Sequence, residues 1–251
     1  MPERNDPLPH LLVHGYVQDQ AFTRAGRGDF KIRDVERRAH GQRMQAGAQR
    51  AFAEQDERRV VFDVAELESL GVVITIEGAT GFPLKLESLE QRSTHRAGPR
   101  PKWLLLNVQP ATDDTPERAQ VWISDEYRAN FLELFEKFVT EDHATSGKPK
   151  NRALVANMAR IRATVLRDLW QSEGEPPTTG RQWWEVWLQP NSDAVEIAHR
   201  FASARQLSIL EKSLRFDNRH VVWIQARWDE LHALPSSAVL VTSVRLGAAP
   251  A

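Results

Sequence analysis

The chain has 251 residues, a formal net charge of −1, 41% hydrophobic residues and no cysteine. This composition is typical of a globular protein of one large or two small domains, and its near-neutral charge gives no overall attraction to nucleic acid or to anionic membranes. The lack of cysteine excludes disulfides, thiolate metal sites and a cysteine nucleophile. We expect a cytoplasmic protein, because the N-terminus is polar and no run of about 18 apolar residues occurs.

The first predicted element is a charged helix over residues 33–60. Its apolar residues form one narrow stripe, so we expect it to dock only lightly on the surface. The stripe consists of Met44, Ala48, Ala51 and Phe52. Two histidines, His14 and His40, each precede a glycine, but neither has a partner at the spacing of a metal site or a catalytic triad. We expect both histidines to be structural.

Residues 72–123 favour a small, mostly antiparallel sheet. Residues 72–77 and 82–89 flank a glycine-containing turn, and this pattern predicts a hairpin with Pro83 at a strand start or on an edge strand. Two further strands are predicted over residues 103–108 and 119–123, which are rich in aliphatic and aromatic residues.

Two helices are predicted next. The first follows Ser124 and Asp125, a plausible N-cap pair, and has an apolar face of phenylalanines and Leu134. The second is predicted over residues 153–170, with Leu154, Met158, Ile161, Val165 and Leu169 facing inward. Its other face carries Arg152, Arg160, Arg162 and Arg167. This row of arginines fits a phosphate, an acidic partner or a solvated basic face, and the solvated face is favoured.

A linker rich in glycine and proline, residues 174–180, separates the last part of the chain. The following patterns predict strand 183–188, helix 193–207, strand 213–216, strand 221–226, a short helix over 228–234 and strand 238–245. This βαββαβ order is typical of the ferredoxin-like arrangement, with the tryptophan-rich strand first and central. We therefore predict an α+β protein with an N-terminal region of residues 1–173 and a ferredoxin-like module of residues 181–251.

The tryptophan-rich strand is the most conspicuous candidate for an interaction surface. Three indoles in five residues bury a large area in either a core or an interface, and the sequence does not decide between them. The predicted surface consists of Trp183, Trp184, Trp187, Trp223, Arg160 and Arg167. Glu185 lies among the tryptophans, and we expect it to point outward or to pair with an arginine rather than to act as a general acid.

No catalytic or cofactor motif is found. The sequence has no G-x-S-x-G elbow, no H-E-x-x-H, no phosphate-binding glycine loop and no metal-spaced cluster. We therefore predict that the chain is not an enzyme and binds no cofactor.

Four segments together resemble the N-terminal, non-catalytic region of bacterial subtilisin-like serine peptidases. These segments are GFPLKLESL at 81–89, KWLLLNV at 102–108, GKPKN at 147–151 and WWEVWL at 183–188. The resemblance extends in order over most of residues 70–245, and its last two segments are the most specific. Such peptidases are typically encoded beside an AAA-type ATPase in loci associated with phage defence.

The resemblance implies a protein-binding role without peptidase activity. The Asp-Thr-Gly, His-Gly-Thr and Gly-Thr-Ser-Met motifs that carry the Asp/His/Ser triad in this family are absent, so no catalytic residue is carried over. Subtilisin propeptides are βαββαβ modules whose sheet packs on the protease and whose C-terminal tail reaches the active-site cleft. Residues 181–251 have this strand order and end in small residues, which implies a peptidase or its ATPase as the partner.

Two other interpretations remain open. RNA-recognition motifs share the βαββαβ order and carry aromatic residues on their first and third strands, where Trp183, Trp184, Trp187 and Trp223 fall. The third strand, however, lacks their basic-glycine-aromatic signature, and the net charge is slightly negative. Nucleic-acid binding is therefore not favoured. The chain could alternatively be a truncated, degenerate peptidase.

Overall fold

The structure, a computed structural model, describes residues 30–61, 71–93, 100–190, 193–237 and 240–247. His14 and the small-residue tail after residue 247 lie outside the described residues. From Lys31 onward the described residues belong to one compact unit. The helices are α1 (Arg37–Val61), α2 (Arg128–Thr140), α3 (Arg152–Val155) and α4 (Ala194–Ala204). The strands are β1 (Gly71–Gly78), β2 (Gln91–Ser93), β3 (Arg100–Gln109), β4 (Arg118–Ser124), β5 (Met158–Ala163), β6 (Gln182–Leu188), β7 (Ser208–Ile209), β8 (Leu214–Phe216), β9 (Arg219–Ala226) and β10 (Val241–Leu246).

The first sheet has the order β2-β3-β4-β1-β5, and all of its neighbours are antiparallel. Helices α1 and α2 cover one face and enclose the first core, in which Phe131, Phe135 and Phe138 are buried as their spacing predicts.

The predicted N-cap before α2 is wrong, because Ser124 makes no capping bond and the 3₁₀ turn Asp125–Tyr127 comes first.

Helix α1 docks more closely than its charged sequence predicts. Met44, Ala48, Ala51 and Phe52 are all buried in the first core. A Cβ added at Gly47 would lie 3.2 Å from the backbone oxygen of Ile161. The lack of a side chain at Gly47 and the small side chains of Ala48 and Ala51 therefore let the helix approach β5, so that even a narrow apolar stripe is buried.

The predicted hairpin over residues 72–89 is wrong. Strand β1 forms, but its two edges pair with β4 and β5, and residues 82–89 contribute only an isolated bridge from Ala79 to Phe82 and the 3₁₀ turn Leu86–Leu89. A strand has two edges for hydrogen bonding, and both edges of β1 are occupied by strands distant in sequence.

The predicted helix over residues 153–170 is also wrong. The segment forms the single turn α3, the strand β5 and the 3₁₀ turn Leu166–Leu169. The apolar residues were nevertheless assigned to the interior correctly in four of five cases, since only Val165 is half-exposed. Ile161 and Ala163 alternate with Arg160 and Arg162, so the same residues also fit a strand. The segment forms a strand because it pairs with the edge of β1 that β4 does not use.

The second sheet has the order β10-β6-β9-β7, with β8 also pairing with β9, and all pairs are antiparallel. The strand that carries the tryptophans, β6, is central, as predicted. Helix α4 packs on one face through Ala198, Phe201 and Ala202, whereas Ala204 is exposed. The short helix predicted over residues 228–234 is replaced by two 3₁₀ turns, Trp228–Leu231 and Leu234–Ser236.

The structure confirms the prediction of an α+β protein with antiparallel sheets. Residues before the linker also contribute to the second core, because Leu166, Leu169 and Trp170 pack there. Trp170 forms a parallel bridge with Val244 of β10. The domain boundary at residues 173–181 stays a prediction.

Candidate interaction surface

Alternation along β6 places the tryptophans on opposite faces of the second sheet. Trp184 is fully buried on the face that carries α4, where its Nε1 donates a hydrogen bond of 2.8 Å to the Ala226 oxygen. Its ring packs against Trp170 and Trp228 at centroid distances of 6.0 and 5.2 Å. Trp184 is therefore a core residue, and it does not belong to the surface predicted from the sequence.

Trp183, Trp187 and Trp223 lie on the other face, here called the open face. Its centre is buried, since Trp223 is 6% exposed and Val221 1%, and Arg219 at one end donates a hydrogen bond to the Leu106 oxygen of β3. Trp187 is half-buried between two partners on this face. The Phe216 ring stacks on it at a centroid distance of 6.1 Å and an interplanar angle of 3°. The guanidinium of Arg245 lies 4.6 Å from its centroid in a cation–π contact.

The apolar part of the open face continues onto β8, an edge strand. Leu214 is 39% exposed and Phe216 is 47% exposed, and all three residues of β8 are exposed. Exposed apolar side chains on an unpaired edge are a common template for protein contacts. Neither residue belongs to the surface predicted from the sequence, although their alternation about Arg215 is the signal that places them on one face.

Two other residues define the limits of this surface. Trp223 is only 6% exposed, and its indole N–H makes no hydrogen bond within the described residues. Glu185 is half-buried on the open face, accepts a hydrogen bond of 3.3 Å from Trp187 Nε1 and lies opposite Arg245 in the strand register. Glu185 therefore orients an indole, while Trp223 offers almost no area to a partner.

Arg160 and Arg167 lie away from the open face. Arg160 lines a groove of about 300 Å³ between α1 and β5, together with Arg43 and Arg50. None of these three arginines forms an ion pair within the described part of the chain. Arg167 is exposed and pairs with Glu175. The structure thus does not bring the predicted arginines and tryptophans together.

A buried polar network joins the first sheet to the turn at residues 166–169. Asp168 is 5% exposed and accepts hydrogen bonds from both terminal nitrogens of Arg162, from Thr75 Oγ1 and from the backbone N–H of Val165. Glu77 also pairs with Arg162 at 3.0 Å. These contacts, with Asp168 foremost, raise the pKa of Arg162 above its usual value. Each charged group of the network is matched, as buried ions require.

His40 is a structural residue. It is 2% exposed, with Nδ1 lying 2.8 Å from Arg43 Nη2 and Nε2 lying 2.9 Å from the Val155 oxygen. Because a guanidinium only donates, Nδ1 accepts and Nε2 carries the proton. Burial lowers the pKa of His40, opposed by the bond to Val155. The prediction of a structural role is consistent with this geometry.

Within the described residues, no group of three or more histidines and carboxylates is arranged to hold a metal ion. No helix in those ranges combines the length and apolar character needed to cross a membrane. Compared with known proteins, the sequence matches no family model and no curated protein.

Proposed function

We propose that the protein is a non-catalytic protein-interaction module that docks on a subtilisin-like peptidase through the open face of its second sheet. The observation that carries the proposal is the exposed apolar edge of that face, Leu214 and Phe216, adjoining the stacked Trp187. Aromatic side chains at a partly exposed surface are typical of interaction hot spots. The resemblance of the sequence to the N-terminal regions of such peptidases supports the choice of partner.

We further infer that residues 181–251 form a ferredoxin-like, propeptide-like module. The order β10-β6-β9-β7 supports this inference, because it places the first and third strands of a βαββαβ unit side by side in the centre of an antiparallel sheet. The packing of α4 on one face, with Trp187, Leu214 and Phe216 partly exposed on the other, agrees with docking through that part of the sheet.

The test measures binding between the full chain and the peptidase encoded in the same locus, by calorimetry and by inhibition of peptide hydrolysis. We expect Phe216→Asp to weaken binding at least about tenfold, which corresponds to about 1.4 kcal/mol. Leu246→Asp is the matched control, because Leu246 is 48% exposed at the end of β10 on the opposite edge of the sheet. No binding by the unaltered chain, or equal weakening by both variants, would contradict the proposal.

The second candidate is binding of single-stranded RNA through the same face. It is favoured by one observation, the half-buried indoles of Trp183 and Trp187 on one face, with the exposed Phe216 stacked on Trp187. It is weakened by the burial of Trp223, whose ring is not available for stacking. Titration with a mixed-sequence RNA at low salt separates the candidates, since RNA stacking on these indoles would quench tryptophan fluorescence and Trp187→Ala would remove the quenching.

A further inference from the structure

A cavity of about 350 Å³ lies in the first half of the fold, on residues that the interaction surface does not use. It is bounded by the 3₁₀ turn after Lys85, by α2, by the loop that connects α2 to α3, and by α3 itself. The connecting loop contains the GKPKN segment at 147–151. A cavity of this size is at the small end of the range for small-molecule sites.

Positive charge dominates the wall of this cavity. Among the described residues, Lys85, Lys148 and Arg152 line it, and no aspartate or glutamate does. Within the described residues, none of these three side chains forms an ion pair. The carboxylates that neighbour the loop are paired with other cations, since Glu141 binds Lys150 at 2.6 Å and Asp142 binds Arg37 at 2.9 Å. The wall is therefore electrostatically complementary to an anion.

The rest of the wall has two chemical parts. Hydroxyl and amide groups that can donate to oxygen come from Ser88, Gln91, Ser146 and Asn151. An apolar side is formed by Ile32, Leu134, Pro149 and Leu154. A ligand that matches both parts carries a multiply charged group together with an organic body.

The loop is held in place before any ligand binds. Gly147 and Asn151 both have left-handed backbone conformations, with φ of 61° and 56°. The Asn151 side chain donates to the Leu134 oxygen at 3.0 Å, and the backbone N–H of His143 donates to the Lys148 oxygen at 2.9 Å. A non-glycine residue with positive φ carries a cost that the surrounding hydrogen bonds must offset. The anchored loop presents Lys148 to the cavity with little further ordering required.

We propose that this cavity binds a phosphorylated small molecule of about the size of a mononucleotide. Its phosphate oxygens contact Lys85, Lys148 and Arg152, and its organic body lies on the apolar side. Three separate cations favour a group with more than one negative charge, and charge-assisted hydrogen bonds to phosphate are among the stronger polar contacts in proteins. This site is independent of the open face and of the proposed peptidase partner.

The test is isothermal titration calorimetry of the full chain with ADP, with inorganic pyrophosphate and with adenosine. We expect ADP to bind most tightly, pyrophosphate less tightly and adenosine weakest. Lys148→Gln and Arg152→Gln should each lower ADP affinity about tenfold, equal to about 1.4 kcal/mol. Lys150→Gln is the matched control, because Lys150 lies two positions from Lys148 but pairs with Glu141 and does not line the cavity.

Three results would overturn the proposal. ADP and pyrophosphate could both fail to bind at millimolar concentration, which would exclude a phosphate site. Lys150→Gln could lower ADP affinity as much as Lys148→Gln does, which would indicate general attraction to surface charge. Adenosine could bind as tightly as ADP, which would show that the cations do not recognise the ligand. Circular dichroism of each variant establishes that the fold is retained.

Discussion

Removal of the Asp168 carboxylate is expected to destabilise the protein strongly, whereas loss of the charge on its neighbour Arg167 is expected to change stability little. Asp168 and Arg162 form a bidentate pair whose side chains are 6% and 22% exposed. The pair between Arg167 and Glu175 has side chains that are 43% and 83% exposed. The two pairs thus begin at adjacent residues but differ in their access to water.

The expected cost follows from this difference. Loss of one partner of a buried ion pair costs about 3–5 kcal/mol, because the other charge stays buried without compensation. In Asp168→Asn, Glu77 still contacts Arg162 at 3.0 Å, so we expect a loss near the lower value. An exposed pair contributes at most about 1 kcal/mol, so we expect Arg167→Gln to change the unfolding free energy by about 0.5 kcal/mol or less.

Urea unfolding followed by far-UV circular dichroism measures both variants. With a urea dependence of roughly 2 kcal/mol per molar, Asp168→Asn should lower the midpoint by about 1.5 M. The double variant Arg162→Met, Asp168→Leu should be at least about 1 kcal/mol more stable than the sum of its single changes predicts, because both charges are removed together. Equal effects of Asp168→Asn and Arg167→Gln, or strictly additive changes in the double variant, would refute the reasoning.

Three further predictions concern the core and its pH dependence. Trp184→Phe should lower the unfolding free energy by about 2 kcal/mol, because it removes a buried hydrogen-bond donor. Trp183→Phe on the open face should lower it by less than about 1 kcal/mol. Equal losses of unfolding free energy in urea would contradict the placement of Trp184 in the core. Gly71→Ala should lower stability by about 1–3 kcal/mol, since an added Cβ overlaps the Ile123 oxygen, and an unchanged melting temperature would exclude that close approach. The pKa of His40 is lower in the folded than in the unfolded protein, so stability should be retained above pH 6.5 and decline as the pH falls below that value. In His40→Gln the decline between pH 6.5 and 5 should diminish, and a pH profile identical to that of the unaltered chain would show that His40 does not cause it.

The elements that the sequence predicts well are those whose apolar pattern has one interpretation. In α2, phenylalanines recur at helical spacing and are buried, and in β6 the run of aromatic and branched residues fits only a strand. Segment 153–170 is different, because its apolar residues satisfy both a helical period and a short alternation. Its prediction identified most of the buried residues but assigned them the wrong secondary structure.

The predicted interaction surface shows the same limit at the level of a site. The sequence draws attention to Trp183, Trp184 and Trp187 together, yet alternate residues of a strand face opposite sides. Which side is core depends on where α4 packs, and that contact joins residues distant in sequence. The cavity beside the GKPKN segment was missed for the same reason, since Lys85 and Lys148 are separated by more than sixty positions.

The amino-acid sequence by itself determined the α+β class, the positions of α1, α2, β6, α4 and β9, and most of the residues that are buried. These features depend on local periodicity, which neighbouring residues determine together. Only the tertiary structure decided that β1 pairs with β4 and β5, that Trp184 is core while Trp187 is partly exposed, and that Asp168 neutralises Arg162. Strand pairing, burial and charge matching depend on contacts between segments distant in sequence. These contacts contribute to stability only once the chain has folded, so local patterns do not reveal them.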